Sequence, residues 1–258
     1  SLFHPTCCYN STHMMVHQAI ILAAGENTRF VPFSSRNSHK SMLQIMGIAL
    51  IVRTIQSLLQ AGIKNIIIVK SPENTTLPDL LKNKNFAAEI SFIDQQKALG
   101  MADALLLAKN NVQSSFLVIN PQQINIDEHL KQILHVEMRD EVVLFSQSTT
   151  QPQKYGILQL DGNKVVGLKE KPSNLEGLSN QRVLGMYILT QKFIDFLSTT
   201  PASDVQLEHA LDQFAKTNHI RCITSQVPSL SLKYAWDIFA IISYLFSSSS
   251  PKAQVHPS

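Results

Sequence analysis

Arg29 and Lys40 are the side chains of this sequence whose surroundings most clearly suggest chemistry. They lie in the stretch QAIILAAGENTRFVPFSSRNSHK, residues 18–40. An apolar run there gives way to small residues and then to a loop without apolar periodicity. Where Leu22 ends the run, Ala23, Ala24 and Gly25 remove side-chain bulk, so backbone N–H groups can approach a ligand closely and form a concavity that favours phosphate. The planar guanidinium of Arg29 matches paired phosphate oxygens, and Lys40 adds a mobile point charge. Small residues after a strand also mark plain tight turns. No Gly-Lys-Ser/Thr follows at Walker spacing, and the stretch is not GxGxxG. It reads as a triphosphate cradle.

A cradle of this kind needs a strand to present it. Ala19-Ile20-Ile21-Leu22 is short, β-branched and free of charge, as suits a strand buried on both faces of a parallel sheet. Further strands are expected at Asn65–Val69, Ala88–Ile93 and Phe116–Ile119, with helices at Ile48–Ala61 (Gly62 as its C-cap), Leu77–Lys84 and Met101–Lys109. Strand–helix alternation of this kind implies βαβ units and a parallel sheet, with ligands at the strands' carboxyl ends. From Val142 the pattern changes. Glu141–Phe145 is expected as a further strand, and strands at Tyr155–Leu160 and Lys164–Leu168 flank the hairpin signal Asp161-Gly162-Asn163. A strand at Val183–Leu189, helices at 192–197 and 204–216, a last strand at 220–225 and a helix at Trp236–Phe246 complete the pattern.

The bounds agree. The 258 residues, 44% hydrophobic and 16% charged, can bury a sizeable core. No apolar run approaches the roughly 20 residues of a membrane span, so no membrane association is expected. A net charge of +3 without Lys/Arg blocks gives no nucleic-acid footprint. Cys7, Cys8 and Cys222 make neither a disulfide framework nor a metal spacing, so a cytoplasmic location is expected. Residues 1–17 are expected to be a disordered leader or tag, 18–246 the functional domain and 247–258 a disordered tail. A homo-oligomer is left open.

The string LAAGENTRFVPFSSRNSHKSML, residues 22–43, resembles the signature LAAGxGTRxxPLSxxxxPKxxL of the sugar-1-phosphate nucleotidylyltransferases. Asn27 stands at that signature's second Gly, and His39 at its Pro. QQKALGMADA, residues 95–104, resembles the family's base pocket QxxxxGxAxA through Gln95, Gly100, Ala102 and Ala104. Tyr155-Gly156 and Glu170-Lys171-Pro172 resemble its YG…EKP elements, and Gly185-Met186-Tyr187 its GxY strand. The resemblance implies an α/β, Rossmann-like (GT-A-type) fold. Its sheet would be mixed but mostly parallel, flanked by helices, with a small β-hairpin forming the sugar-binding part. It further implies transfer of a nucleoside monophosphate from an NTP, UTP or dTTP, to a sugar 1-phosphate with release of pyrophosphate. Arg29, Lys40 and Lys171 would be catalytic. Leu22, Ala23, Ala24, Gly25, Gln95 and Gly100 would bind the nucleotide, and Gly156, Glu170 and Tyr187 the sugar.

Two positions depart from the family. Relatives carry Gly-Asp after the fourth strand, where the Asp binds Mg2+; this chain has Pro121-Gln122. The second metal ligand of relatives falls on Ser231 when Tyr234-Ala235-Trp236-Asp237 is set on YPWD, which makes Asp237 a helix-start acid. An amide is a poor magnesium ligand. Mg2+ is therefore expected to arrive on the nucleotide phosphates, with Asp94, Asp103 or Asp127 as stand-ins. Alternatives are a sensor that binds nucleotide or nucleotide-sugar without turnover, and an enzyme using another small phosphate such as phosphocholine.

Overall fold

The apolar run after Gln18 forms β1 (Gln18–Ala23), buried along its whole length. It pairs in parallel with β4 (Asn65–Lys70) on one side and with β6 (Ser115–Ile119) on the other. The computed structural model describes residues 16–25, 39–133 and 140–249. Arg29 and Arg36 of the expected cradle lie outside these described residues. Between β1 and β4 come β2 (Gln44–Ile45), β3 (Ile48–Ala49) and α1 (Leu50–Gln60); α2 (Thr76–Lys82), β5 (Glu89–Asp94) and α3 (Met101–Leu107) lead on to β6. After β6 follow α4 (Ile126–Ile133), β7 (Val142–Ser148), β8 (Gly156–Asp161), β9 (Lys164–Glu170) and β10 (Gln181–Thr190). The described chain finishes with α5 (Gln191–Leu197), α6 (Gln206–Thr217), β11 (Ile220–Thr224) and α7 (Asp237–Ser249).

One sheet carries the strands in the order β5-β4-β1-β6-β10-β7-β11-β9-β8. The β5-β4-β1-β6 part is parallel, whereas β10 runs antiparallel to both β6 and β7. The expected Rossmann-like α/β fold with a mixed sheet is the fold found. The period of two in β1 sorts its side chains between two layers. Ile20 and Leu22 join the core under α3, α5 and α6, while Ala19, Ile21 and Ala23 join the core under α1, α2 and α4. A third cluster seats α7 through Ile241 and Leu245 on Ile45, Leu50, Ile124 and Leu232. Burying each such Ile or Leu contributes about 1.5–3 kcal/mol.

Four departures from the sequence reading have local causes. Ile48 and Ala49 are a strand, not the first turn of a helix, because Met46 (φ 52°) and Gly47 (φ 75°) make a tight hairpin between β2 and β3. The helix α4 was not expected; its apolar spacing of Ile126 and Leu130 is short and interrupted by charge. Val16 packs against the core and His17 accepts a hydrogen bond from Asn65 N, so the fold begins ahead of the expected leader boundary. At the other end α7 runs to Ser249, past the expected start of the tail.

Two features of the fold fix the site. In β10 the register against β7 shifts between Val183 and Tyr187, and Gly185 sits there at φ +71°, with room for a Cβ only 3.5 Å from Asn120 Nδ2. A buried polar staple also joins the β6–α4 connection to the segment after β11. Gln123 donates to Asn125 Oδ1 and to His129 Nε2, Ser229 Oγ donates to Gln123 Oε1, and His129 Nδ1 donates to Ser225 Oγ. Burial holds the His129 imidazole below its ordinary 6.5, with Glu128 and Asp127 pulling the other way. Protonation would set an N–H against the Gln123 amide donor.

Gly185→Ala should lower stability by about 1–2 kcal/mol, the left-handed penalty for a residue with a Cβ, as read from urea denaturation midpoints. The buried neutral His129 sets a pH dependence with a definite sign. In the unfolded chain His129 takes up a proton as the pH drops below 6.5, while in the folded chain it resists. Stability should therefore be full above pH 6.5 and decline below it. His129→Gln should flatten part of that decline in unfolding curves taken from pH 7.5 to 5.

Candidate active site

The carboxyl ends of β1, β5 and β6 meet at a cavity of about 250 Å3. Its walls include Leu22, Ala24, Gly25, Gln95, Gly100 and Asn120. This is the edge where β1 has its neighbours β4 and β6 leading in opposite directions, the switch point at which open α/β sheets bind ligands. Of the expected nucleotide-binding residues, Ala23 alone is not on the wall; it is fully buried in the layer facing α1. The alternation of β1 that brings Leu22 to one face sends Ala23 to the other.

Gln95 is 4% exposed, and its amide has one allowed orientation. Nε2 donates to Asp103 Oδ2 at 2.7 Å and to Gly100 O at 3.1 Å. A carboxylate and a carbonyl only accept, so Oε1 is the group left to the cavity. Gly100 has φ +95° at the start of α3, a conformation that favours glycine.

His39, where the family signature has Pro, ties the cradle to the segment carrying Lys40. Nε2–H donates to Gly25 O at 2.8 Å, while Nδ1 accepts from Ser41 N at 3.2 Å. Burial lowers the pKa of the imidazole, the Gly25 carbonyl raises it and Lys40 lowers it, so it stays neutral in this role. Lys40 is buried, and its Nζ donates to Lys233 O at 3.2 Å. It is not among the described residues that line this cavity.

A second cavity, of about 180 Å3, adjoins the first and shares Asn120 and Gln122 with it. Gly156, Glu170 and Tyr187, the expected sugar-binding residues, all line it. Gly156 pairs with Glu170 across the β8–β9 hairpin. A Cβ there would come within 3.0 Å of Glu170 Oε2, so a larger residue would push the carboxylate aside. Burial raises the pKa of the Tyr187 hydroxyl, as do Glu208 and Glu170. Glu208 is likewise raised, first by burial and further by Glu170. Lys171 sits beside this cavity in a left-handed conformation (φ 43°), with its side chain 60% exposed and 3.5 Å from Glu170 Oε1.

Gln122 and Ser231, the two positions expected to replace the metal-binding carboxylates, line this cavity together. Gln123 and Ser231 form a β-bridge, and Leu232 N donates to Gln122 O at 2.9 Å. Asp237, the first residue of α7, reaches back to accept from Lys233 N and Tyr234 N, each at 2.7 Å, and so fixes the turn that leads into the helix rather than holding a metal. The suggested stand-ins are engaged elsewhere: Asp94 with Lys70, Asp103 with Gln95, and Asp127 with Lys131. Among the described residues no three His, Cys, Asp or Glu side chains are grouped to hold a metal. An amide and a hydroxyl bring no charge to offset stripping water from Mg2+. The residues at these two positions do not fit a resident magnesium site.

Sequence reasoning missed Asn120, Glu208, Arg182 and Lys233, all of which line the second cavity. Glu208 was within reach, because it follows the Gln206-Leu207 pair that opens α6. Arg182 and Lys233 come together only through long-range pairing. Arg182 lies over the Tyr155 ring, 4.5 Å from its centroid, and Lys233 Nζ is 4.7 Å from the same centroid.

Comparison with known proteins bears on all of this. The profile of the nucleotidyl transferase family matches residues 18–224. A bifunctional protein GlmU of Methanococcus aeolicus is 30% identical over 224 residues, covering 85% of this chain and 52% of its own length. A UTP–glucose-1-phosphate uridylyltransferase of Streptococcus pyogenes is 27% identical, with 80% of each chain covered. The chain spans about half the length of the Methanococcus relatives. Among solved structures, an apo UDP-glucose pyrophosphorylase superposes with a TM-score of 0.81 at 20% identity, covering 92% of this chain and 100% of that one. A UTP-bound UGPase from Acinetobacter baumannii gives 0.77 at 20% identity, covering 92% and 95%. At these identities the superpositions speak for the fold. The family match runs from β1 through β11, and with it the chain belongs to the nucleotidyl transferase family, as its resemblance to the sugar-1-phosphate nucleotidylyltransferases implied.

Proposed function

We propose that this chain transfers a nucleoside monophosphate from UTP or dTTP to a sugar 1-phosphate, releasing pyrophosphate. The observation that carries this reading is the pair of adjoining cavities at one sheet edge, sharing Asn120 and Gln122. The nucleotide occupies the first and the sugar phosphate the second. An oxygen of the sugar phosphate attacks the α-phosphorus in line, the bond to the β-phosphate breaks, and pyrophosphate leaves with the electron pair. No covalent enzyme intermediate is needed, so the protein's contribution is positioning and charge neutralisation.

The individual roles follow from the chemistry of each residue. Gln95 Oε1 accepts from the N3–H of uracil or thymine; cytosine has no proton there. The backbone of Gly25 and the small side chain of Ala24 let the phosphates come close, with Arg29 and Lys40 holding the triphosphate and the leaving pyrophosphate. Glu170 accepts from sugar hydroxyls over Gly156, with Tyr187 beneath. Lys171, expected from the family resemblance to meet the attacking phosphate, stands beside Glu170 with most of its side chain in water. Magnesium belongs to the substrate, as the Mg–NTP complex. Gln122 and Ser231 favour a second reading, a sensor that binds the nucleotide without turning it over.

Pyrophosphate release should be measured with UTP, dTTP, CTP and ATP against a panel of sugar 1-phosphates and phosphocholine. UTP or dTTP should surpass CTP by about 10–100-fold in kcat/KM, the worth of one mismatched hydrogen-bonding edge, and Gln95→Leu should erase most of that preference. Tight UTP binding with no pyrophosphate from any acceptor would establish the sensor instead. Gln122→Asp should lower the magnesium concentration needed for half-maximal rate and raise turnover, because it adds a carboxylate where the chain has an amide. A magnesium titration of both proteins at fixed UTP checks this.

A further inference from the structure

We infer that the acceptor's phosphate is seated by Arg182 and Lys233 on the Tyr155 ring, and not by the expected Lys171. The inference rests on the nucleotidyl transfer proposed above for the second cavity. Arg182 and Lys233 both line that cavity. Their charged groups stand 4.5 and 4.7 Å from the centroid of one tyrosine ring. Each gains from the ring's negative face. Two cations brought to one ring favour an anion beside them, and a doubly charged phosphate monoester is such an anion. Among the described residues the other charged groups on the cavity wall are the carboxylates Glu170 and Glu208. Carboxylates repel a phosphate and accept from the acceptor's hydroxyls.

The mounting of Arg182 is what a binding residue requires. It lies on β10 where that strand meets both β7 and β8, opposite Gln147 and Ile157. Gln147 Nε2 donates to Val227 O, which turns Oε1 toward Arg182 Nη2 at 2.9 Å and Ser229 N at 3.2 Å. The guanidinium is thereby fixed by one of its five donors, leaving a fork suited to two phosphate oxygens. Lys233 is placed through its backbone, with N–H donating to Asp237 and the carbonyl accepting from Lys40. A side-chain substitution at 233 leaves both of those bonds in place. Lys171, by contrast, is not on the cavity wall, and 60% of its side chain is in water beside Glu170. Solvent and salt screen a charge so placed.

Calorimetry of the full chain with UTP, inorganic phosphate and glucose 1-phosphate tests the seat, using Arg182→Gln, Lys233→Gln, Lys171→Gln and Arg182→Lys. Arg182→Gln and Lys233→Gln should each weaken phosphate and glucose 1-phosphate at least ten-fold while UTP affinity stays within two-fold. Arg182→Lys should recover part of the loss, and Lys171→Gln should cost less than either. Unchanged UTP affinity also certifies that the variants are folded. The inference is overturned if Lys171→Gln carries the large loss while Arg182→Gln stays within two-fold, or if the unaltered chain binds neither phosphate probe. Failure to bind UTP alone would instead count against the nucleotidyl transfer reading, with the phosphate arm still deciding the seat.

Discussion

The first cavity is built around the end of β1, a strand with no face left to solvent. Its side chains are divided between two core layers, and its backbone is paired on both sides. Such a strand cannot shift register without sending one set of apolar side chains to the wrong layer. The point at which its backbone emerges is therefore fixed. From there two tethers carry the geometry outward. His39 holds the carbonyl of Gly25, and Lys40, the next residue, holds the carbonyl of Lys233. The cradle end of the sheet and the segment leading to α7 are in this way drawn together across most of the sequence.

The second cavity depends on a different device. The staple of Gln123, Asn125, His129, Ser225 and Ser229 has its members satisfied by one another or by nearby carbonyls. A buried polar network of that kind fixes relative position more than it adds stability. It sets Gln122 beside Ser231, and it does so with neutral groups. Among the described residues the cavity wall consequently carries two cations, Arg182 and Lys233, two carboxylates, Glu170 and Glu208, and, at the two expected metal positions, an uncharged centre. A metal-bearing substrate fits such a centre better than a metal held by protein carboxylates, because the phosphates bring the compensating charge with them.

Much of this was legible in the sequence. The parallel strands could be read because β-branched runs such as Asn65–Lys70 are buried on both faces and leave little ambiguity. The small residues after β1, Gln95 with Gly100, and Gly156 with Glu170 could be read because motif spacing encodes each locally. What escaped was set by distance along the chain. The turn at Met46-Gly47 claims two residues that look helical, and strands of two residues are too short to show a period. Arg182 is one polar residue on an ordinary strand, and its place over Tyr155 follows from the pairing of β10 with β8. Lys233 is an exposed lysine until the β-bridge between Gln123 and Ser231 brings its segment to the cavity.

The central claim is direct transfer between two phosphates held in adjoining cavities, and the reverse reaction tests it most directly. The chain is incubated with Mg2+, UDP-glucose and isotopically labelled pyrophosphate, and label is sought in UTP. Direct in-line transfer predicts labelled UTP with equimolar glucose 1-phosphate, and no labelling when UTP is offered with pyrophosphate in the absence of any sugar phosphate. Labelling without the sugar phosphate would reveal a covalent nucleotidyl-enzyme. No labelling from any UDP- or dTDP-sugar, in a protein that binds UTP, would contradict the account.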